Sequence, residues 1–158
     1  MGKVVSEDEL CQQVAAARHA GRRIAFTNGC FDLLHPGHIR SLEQARSLGD
    51  GLVVAVNSDR SVRENKGPGR PLVAEDERAE VLASLAAVDW VVIFDDATPH
   101  RLIARVVPDI LVKGEDWAPE EIAGRAEVEA SGGRVVRLPV VPGYSTSEIV
   151  QRILSQDT

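Results

Sequence analysis

Cysteine is scarce: Cys11 and Cys30 are the only two in 158 residues. That is too few to staple a small secreted domain, so both are expected to be free thiols in a chain long enough to bury a core without crosslinks. Positive charge is also short. With a formal net charge of −6 and an isoelectric point near 5.2, a nucleic-acid polyanion is not expected as the main partner, and any functional cations must be gathered locally. No apolar run approaches the roughly 20 residues that cross a bilayer, and no basic segment followed by a hydrophobic signal core opens the chain. No membrane association is expected, and the location is expected to be cytoplasmic. Internal repeats and low-complexity tracts are missing too. A hydrophobic fraction of 44% fits a single globular domain over residues 1–158, with residues 1–21 as an N-terminal helical extension.

What is present is an alternation of elements. Glu7 to His19 has Leu10, Val14 and Ala17 on one helical stripe, with Gly21 as a stop. Ile24-Ala25-Phe26 reads as a buried strand, and Ile39, Leu42, Ala45 and Leu48 keep helical spacing up to Gly49. Leu52 to Val56 is a continuous apolar strand, Arg78 to Ala87 a helix and Trp90 to Phe94 a strand. Thr98-Pro99 opens a helix through about Val106, and Ile110 to Val112 and Val135-Val136 add two short strands. Strands and helices alternating at this interval predict an α/β fold, a Rossmann-like, doubly wound, mostly parallel sheet. Ligands of such sheets collect outside the carboxyl ends of the strands. Those ends carry Asn28-Gly29, Asn57-Ser58-Asp59, Lys113-Gly114-Glu115-Asp116 and, late in the chain, Gly143 to Ser147.

The richest stretch runs from Thr27 to His38, where a strand enters a glycine turn and His35-Pro36-Gly37-His38 follows. Pro36 suits the first helical turn, where its missing N–H goes unneeded. Two imidazoles at a helix start meet free backbone donors and the positive dipole end, which favours a phosphate. Taken alone, the pair is also compatible with half a metal site or a plain turn; a catalytic zinc needs about three protein ligands, and no third stands at motif spacing. Cys30 in that turn has no dedicated base and reads as packing.

Other constellations carry two readings each. Ser145-Thr146-Ser147-Glu148 has capping-box spacing, yet three hydroxyls exceed what a cap requires and suit a second anion site. Lys66 and Arg70 sit in Arg63 to Pro71, a glycine- and proline-rich segment expected to be a mobile loop; they are either idle charges or a cationic lid. Lys113, Gly114 and Asp116 are either a charged turn or the wall of the ligand crevice. Asn57 and Asp59 occupy the equivalent place after the second strand and suit a sugar hydroxyl or an indirectly held magnesium.

With these segments together, the chain resembles the His-x-Gly-His nucleotidyltransferases of the cytidylyltransferase-like superfamily, and within them the heptose 1-phosphate adenylyltransferase domain of ADP-heptose synthesis. Thr27 to His38, Val54 to Asp59, Lys66 with Arg70-Pro71, Ala87 to Val92, Pro108 to Gly114, Pro119 to Gly124 and Ser145-Thr146 carry the resemblance. It covers about Glu7 to Leu154. The Thr-Asn-Gly-Cys-Phe-Asp start and the Pro-Glu-Glu-Ile-Ala-Gly segment narrow it to the heptose branch.

The resemblance implies transfer of AMP from ATP to D-glycero-D-manno-heptose 1-phosphate, giving ADP-heptose and pyrophosphate. By position, His35, His38, Asp32 and Lys66 would be catalytic. Asn28, Gly29, Phe31, Lys113, Gly114, Asp116, Ser145, Thr146 and Ser147 would bind nucleotide with the two histidines. Asn57, Asp59, Lys66 and Arg70 would bind the acceptor. Mg²⁺ would ride on phosphate oxygens rather than on a protein ligand set. A homodimer is implied, as is a separate sugar kinase, since 158 residues leave no room for a fused one. Glycerol 3-phosphate cytidylyltransferases carry an arginine where this chain has Val140-Val141-Pro142, which disfavours cytidine; guanine stays open, as does a nucleotide-sensing module without turnover.

Overall fold

The computed structural model describes residues 1–156. Strand β1 (Lys3–Val4) leads to α1 (Glu7–His19), β2 (Ile24–Gly29), α2 (Pro36–Ser47) and β3 (Gly51–Asn57). Then come α3 (Asp59–Lys66), α4 (Glu75–Ala83), β4 (Trp90–Phe94), α5 (His100–Val106) and β5 (Ile110–Gly114). A 3₁₀ turn at Pro119–Glu121 precedes α6 (Arg125–Ala130), β6 (Arg134–Leu138) and α7 (Thr146–Ser155). Among the described residues no helix is long and apolar enough to cross a membrane.

The six strands form one sheet in the order β1-β4-β3-β2-β5-β6, with every pairing parallel. Side chains alternate across it. Phe26, Val53, Ala55, Val92 and Leu111 pack on one face beneath Leu10 and Val14 of α1 and Leu102 and Ile103 of α5. Ala25, Val54, Val56, Val91 and Ile110 pack on the other beneath Leu42 of α2 and Leu82 of α4. Because both faces are covered, β3 is buried at every residue, which is why it reads as an unbroken apolar run.

The chain grows from β2 toward β3 and β4, then returns to the other side of β2 with β5 and β6. The order reverses between β2 and β5, so their carboxyl ends, Asn28-Gly29 and Lys113-Gly114, flank the switch-point crevice.

The structure departs from the sequence reading in four places. Residues 1–21 supply an edge strand, β1, paired with β4, as well as the expected helix. The segment Arg63 to Pro71 is not all loop, because α3 runs to Lys66, capped by Ser58, whose Oγ accepts the Ser61 N–H at 3.2 Å. That helix buries only Ser61 and Val62, so it left no apolar stripe to read. Helix α4 begins at Glu75, three residues early, with three acidic residues favouring its positive end. Helix α6, only six residues long, was not anticipated.

Candidate active site

Strand β2 ends in a turn whose backbone is forced out of the ordinary range: Phe31 sits at φ 50, a left-handed conformation unfavourable for a bulky residue. The turn delivers the chain into α2, and His35 becomes its N-cap. Its Nδ1 accepts the Gly37 N–H at 3.1 Å, while His38 Nδ1 accepts the His35 N–H at 3.3 Å, a capping box built from two imidazoles. A ring nitrogen that accepts an N–H carries no proton, so each neutral imidazole holds its proton on Nε2. The motif therefore fixes the tautomer of both rings and leaves two Nε2–H donors on their far edges.

The rings stack with centroids 3.9 Å apart, and Tyr144 lies beyond His35 at 6.0 Å. Gly37 makes this packing possible, since a Cβ there would stand 2.9 Å from the His35 ring and 3.1 Å from Tyr144 Cβ. Burial, then the neighbouring His35 and the Lys66 ammonium, push His38 down to about 4; burial lowers His35 as well. Both are neutral donors at pH 7.

This depressed value links to stability. Between about pH 6.5 and 4 the unfolded chain holds a proton at His38 that the folded chain refuses, so the His38 contribution is complete above about 6.5 and is lost as pH falls toward 4. We expect the urea midpoint to drop between pH 7.5 and pH 5 and to drop less in a His38→Gln variant. Imidazole ¹⁵N shifts should report Nε2–H tautomers for both residues at pH 7. An Nδ1–H signal at either ring would refute the cap assignment.

Three recesses meet at this turn. The first, about 380 Å³, runs from Asn28, Gly29, Phe31 and the two histidines past Lys113, Gly114 and Asp116 to an apolar wall of Leu138, Pro139, Val140 and Val141. The second, about 730 Å³, shares Phe31, His35, His38 and Asp116 and adds Asp32, Lys66, Arg70 and Ser145 to Ser147. The third, about 470 Å³, lies on the other side of Asn28, Gly29 and Lys113 and is bounded by Asn57, Lys66, Trp117 and Glu121. Cys30 borders all three. Its thiol, pushed up by burial, points at Asn57 Oδ1 from 3.8 Å, an environment for packing rather than nucleophilic attack.

Each expected residue has a definite post. The Asp32 carboxylate accepts the N–H groups of Leu72 and Val73 at 2.9 Å and faces Arg70 at 3.6 Å, so it fastens the segment after α3 to the turn. Lys66 is the last residue of α3, not a loop residue, and it borders the second and third recesses. Lys113 Nζ donates to Asn28 Oδ1 at 3.2 Å, tying β5 to β2 across the switch point, with the Trp117 ring 4.5 Å away. At the start of α7, Ser145 Oγ caps the Glu148 N–H at 3.3 Å, and Thr146 donates its hydroxyl to Leu33 O at 2.9 Å. That proton is committed to the protein, so donors toward the second recess come from Ser145 and Ser147.

Asp59 is the exception. Its carboxylate accepts from Arg78 Nη2 at 2.8 Å, and it borders none of these recesses. Asn57 does reach the third, but its Nδ2 donates to Ser61 Oγ at 3.2 Å. A group of three or more His, Cys, Asp or Glu side chains able to enclose a metal does not occur among the described residues. The Asp116 carboxylate, exposed at the meeting of the first two recesses, fits an ion carried by a ligand's phosphates.

A cytidylyltransferase-like family model matches residues 26–152, a span that contains the histidine turn, both flanking strand ends and the start of α7. The chain belongs to the cytidylyltransferase-like family. Among its relatives are proteins named "Bifunctional protein HldE". That of Koribacter versatilis (strain Ellin345) is 57% identical over 150 residues, covering 95% of this chain and 31% of the relative. That of Shewanella sp. (strain ANA-3) is 54% identical over 153 residues, covering 97% and 32%. The chain thus spans about a third of the length of these relatives. A solved structure described as a lipopolysaccharide core biosynthesis protein from Thermoplasma volcanium GSS1 superposes with a TM-score of 0.63 at 29% identity, covering 77% of this chain and 98% of that one. A protein of unknown function from Archaeoglobus fulgidus shares the fold at a TM-score of 0.57 and 19% identity, covering 78% and 93%.

Several residues that border these recesses were not marked as site residues by any local pattern in the sequence. Asn65 of α3, Thr98 before α5, Trp117 after β5 and Glu121 of the 3₁₀ turn come from four separate stretches of chain and meet in the third recess. Arg78 lay within an expected helix, yet its side chain is fully buried. Its guanidinium donates to Cys30 O at 2.6 Å, to Asn57 O and Val73 O at 2.8 Å, and to Asp59. It knots the turn after β2, the end of β3 and the segment before α4.

Proposed function

We propose that this chain is a heptose 1-phosphate adenylyltransferase. The observation that carries the reading is the pair of Nε2–H donors fixed by the imidazole capping box, set between a recess with an apolar wall and one lined by cations and hydroxyls. A base and ribose fit the first and a triphosphate the second. The third recess, across Lys113, leaves a place for a second substrate. The heptose branch rests on the Thr27 to Asp32 and Pro119 to Gly124 segments, and the identity to the HldE proteins supports it.

In this reading an oxygen of the sugar's anomeric phosphate attacks the α-phosphorus of ATP. The bond from that phosphorus to the bridging oxygen of the β-phosphate breaks, and pyrophosphate leaves with the electron pair. The nucleophile is already an anion, so no base is required; the protein aligns the two phosphates and stabilises the charge that builds on the leaving group. His35 and His38 donate from Nε2 to the α- and β-phosphates. Lys66, Arg70 and the Ser145 and Ser147 hydroxyls take the β- and γ-phosphates, while Thr146 and Asp32 hold their segments in place. Mg²⁺, held by phosphate oxygens beside Asp116, would supply further neutralisation of the triphosphate.

Val140 and Val141 give the base pocket an apolar wall in place of the cytidine-linked arginine. A homodimer and a separate sugar kinase, with a cytoplasmic location, belong to the same reading. Ile153 and Leu154, both 62% exposed on α7, offer such a dimer an apolar face. The test is pyrophosphate release from ATP, GTP and CTP with heptose 1-phosphate, mannose 1-phosphate and glycerol 3-phosphate. Release with ATP, heptose 1-phosphate and divalent metal is expected. Turnover with CTP and glycerol 3-phosphate, or none with any pair, would overturn the proposal and in the second case favour a sensing module.

A further inference from the structure

The third recess carries charged groups of both signs. Its lining includes two ammonium groups, Lys66 and Lys113, one at the close of α3 and the other at the close of β5. The rest of the lining includes neutral or acceptor groups: the Asn65 amide, the Thr98 hydroxyl and the Glu121 carboxylate. Neither the Asn65 amide nor the Glu121 carboxylate is hydrogen-bonded or ion-paired to another side chain among the described residues. Trp117 forms one wall, 42% exposed, with the Lys113 ammonium over its ring. The 3₁₀ turn that carries Glu121 is seated firmly, because Ile122 is buried in the core and Arg137 donates to the carbonyls of Glu115 and Trp117.

This distribution selects a chemistry. A second polyanion would meet the Glu121 carboxylate, and an apolar ligand would strand the amide and the carboxylate without partners. A phosphate monoester with a hydroxylated body satisfies both kinds of group: its phosphate pairs with Lys113 and shares Lys66, which borders the second recess as well, its hydroxyls donate to Glu121 and Asn65, and its C–H face lies against the indole. At about 470 Å³ the recess has the size of a small-ligand site. We infer that Glu121 and Trp117 are the residues that select a polyhydroxylated sugar phosphate as acceptor, seated in the recess across Lys113 from the nucleotide. The inference rests on the transferase reading above for the role of the ligand, but not for its binding.

The test uses the full chain saturated with α,β-methylene-ATP, titrated calorimetrically with D-glycero-D-manno-heptose 1-phosphate and mannose 1-phosphate. Glu121→Gln should weaken heptose phosphate binding about tenfold or more, the scale of a lost hydrogen bond to a charged group. Trp117→Phe should weaken it less and abolish a sugar-dependent change in tryptophan fluorescence. Affinity for the ATP analogue should stay within about twofold in both, and since both side chains are exposed their unfolding temperatures should match the parent. Unchanged acceptor affinity in both variants overturns the inference, as does a parent chain that binds neither sugar phosphate. If the parent binds the sugar through Glu121 yet releases no pyrophosphate, the transferase reading fails and this one stands. Full turnover with indifferent variants sinks this one alone.

Discussion

Replacing His38 by Ala should lower pyrophosphate release at least about a hundredfold, the usual scale for one lost transition-state donor. The side chain has two jobs on two nitrogens. Its Nε2–H is the donor the cap leaves free on a ring that lines two recesses, while Nδ1 accepts the His35 N–H and closes the capping box. The alanine variant loses both, and the lost cap accounts for only about 0.5–2 kcal/mol of folding stability. Thermal unfolding of the variant should therefore shift by a few degrees while turnover collapses. His35, deprived of a ring stacked at 3.9 Å, should also become more mobile. Near-normal turnover would remove the histidines from the chemistry and leave the capping box as their whole purpose.

The second large effect lies away from the reacting groups. Arg78→Met keeps the length of the side chain and removes the guanidinium, leaving the Asp59 carboxylate and the carbonyls of Cys30, Asn57 and Val73 without that donor. Stripping one partner from a buried charged network costs about 3–5 kcal/mol. In a domain of this size that corresponds to an unfolding temperature lower by roughly 10 °C, at about 2–4 °C per kcal/mol. Lysine should not rescue it, since a single ammonium cannot reproduce the planar fork that reaches several acceptors at once. The KM for ATP should rise as well, because the knot fixes the carbonyl of Cys30 and the segment that Asp32 holds beside Arg70. A midpoint within a couple of degrees of the parent would show the network to be dispensable.

The two residues differ in how they could be read. His38 stands out in the sequence, because Pro36 and Gly37 between two histidines after an apolar strand mark a helix start within twelve residues, although the pair taken alone also fits a plain turn or half a metal site. Arg78 does not. Its partners lie 5, 19, 21 and 48 residues away, and an arginine on a helix is ordinarily a solvated charge. Asp59 was hidden for the same reason: a carboxylate beyond a strand end is expected to face the crevice, and only the structure shows this one paired with the buried Arg78 guanidinium and outside the three recesses.

Helix α3 failed for a related cause, being held by one cap and one buried valine rather than by a stripe. Strand β4, by contrast, was bounded to the residue, because five consecutive apolar or aromatic side chains between charged neighbours leave little else to form.

Alone, the amino-acid order determined the alternation of elements, the parallel sheet it implies and the histidine turn, since each follows from spacing between near neighbours. The reversal of strand order that sets β5 beside β2, the third recess and the choice of which carboxylates line the recesses were decided only by tertiary structure. They depend on groups brought together from distant parts of the chain, and no local pattern encodes which of two strands will lie next to a third.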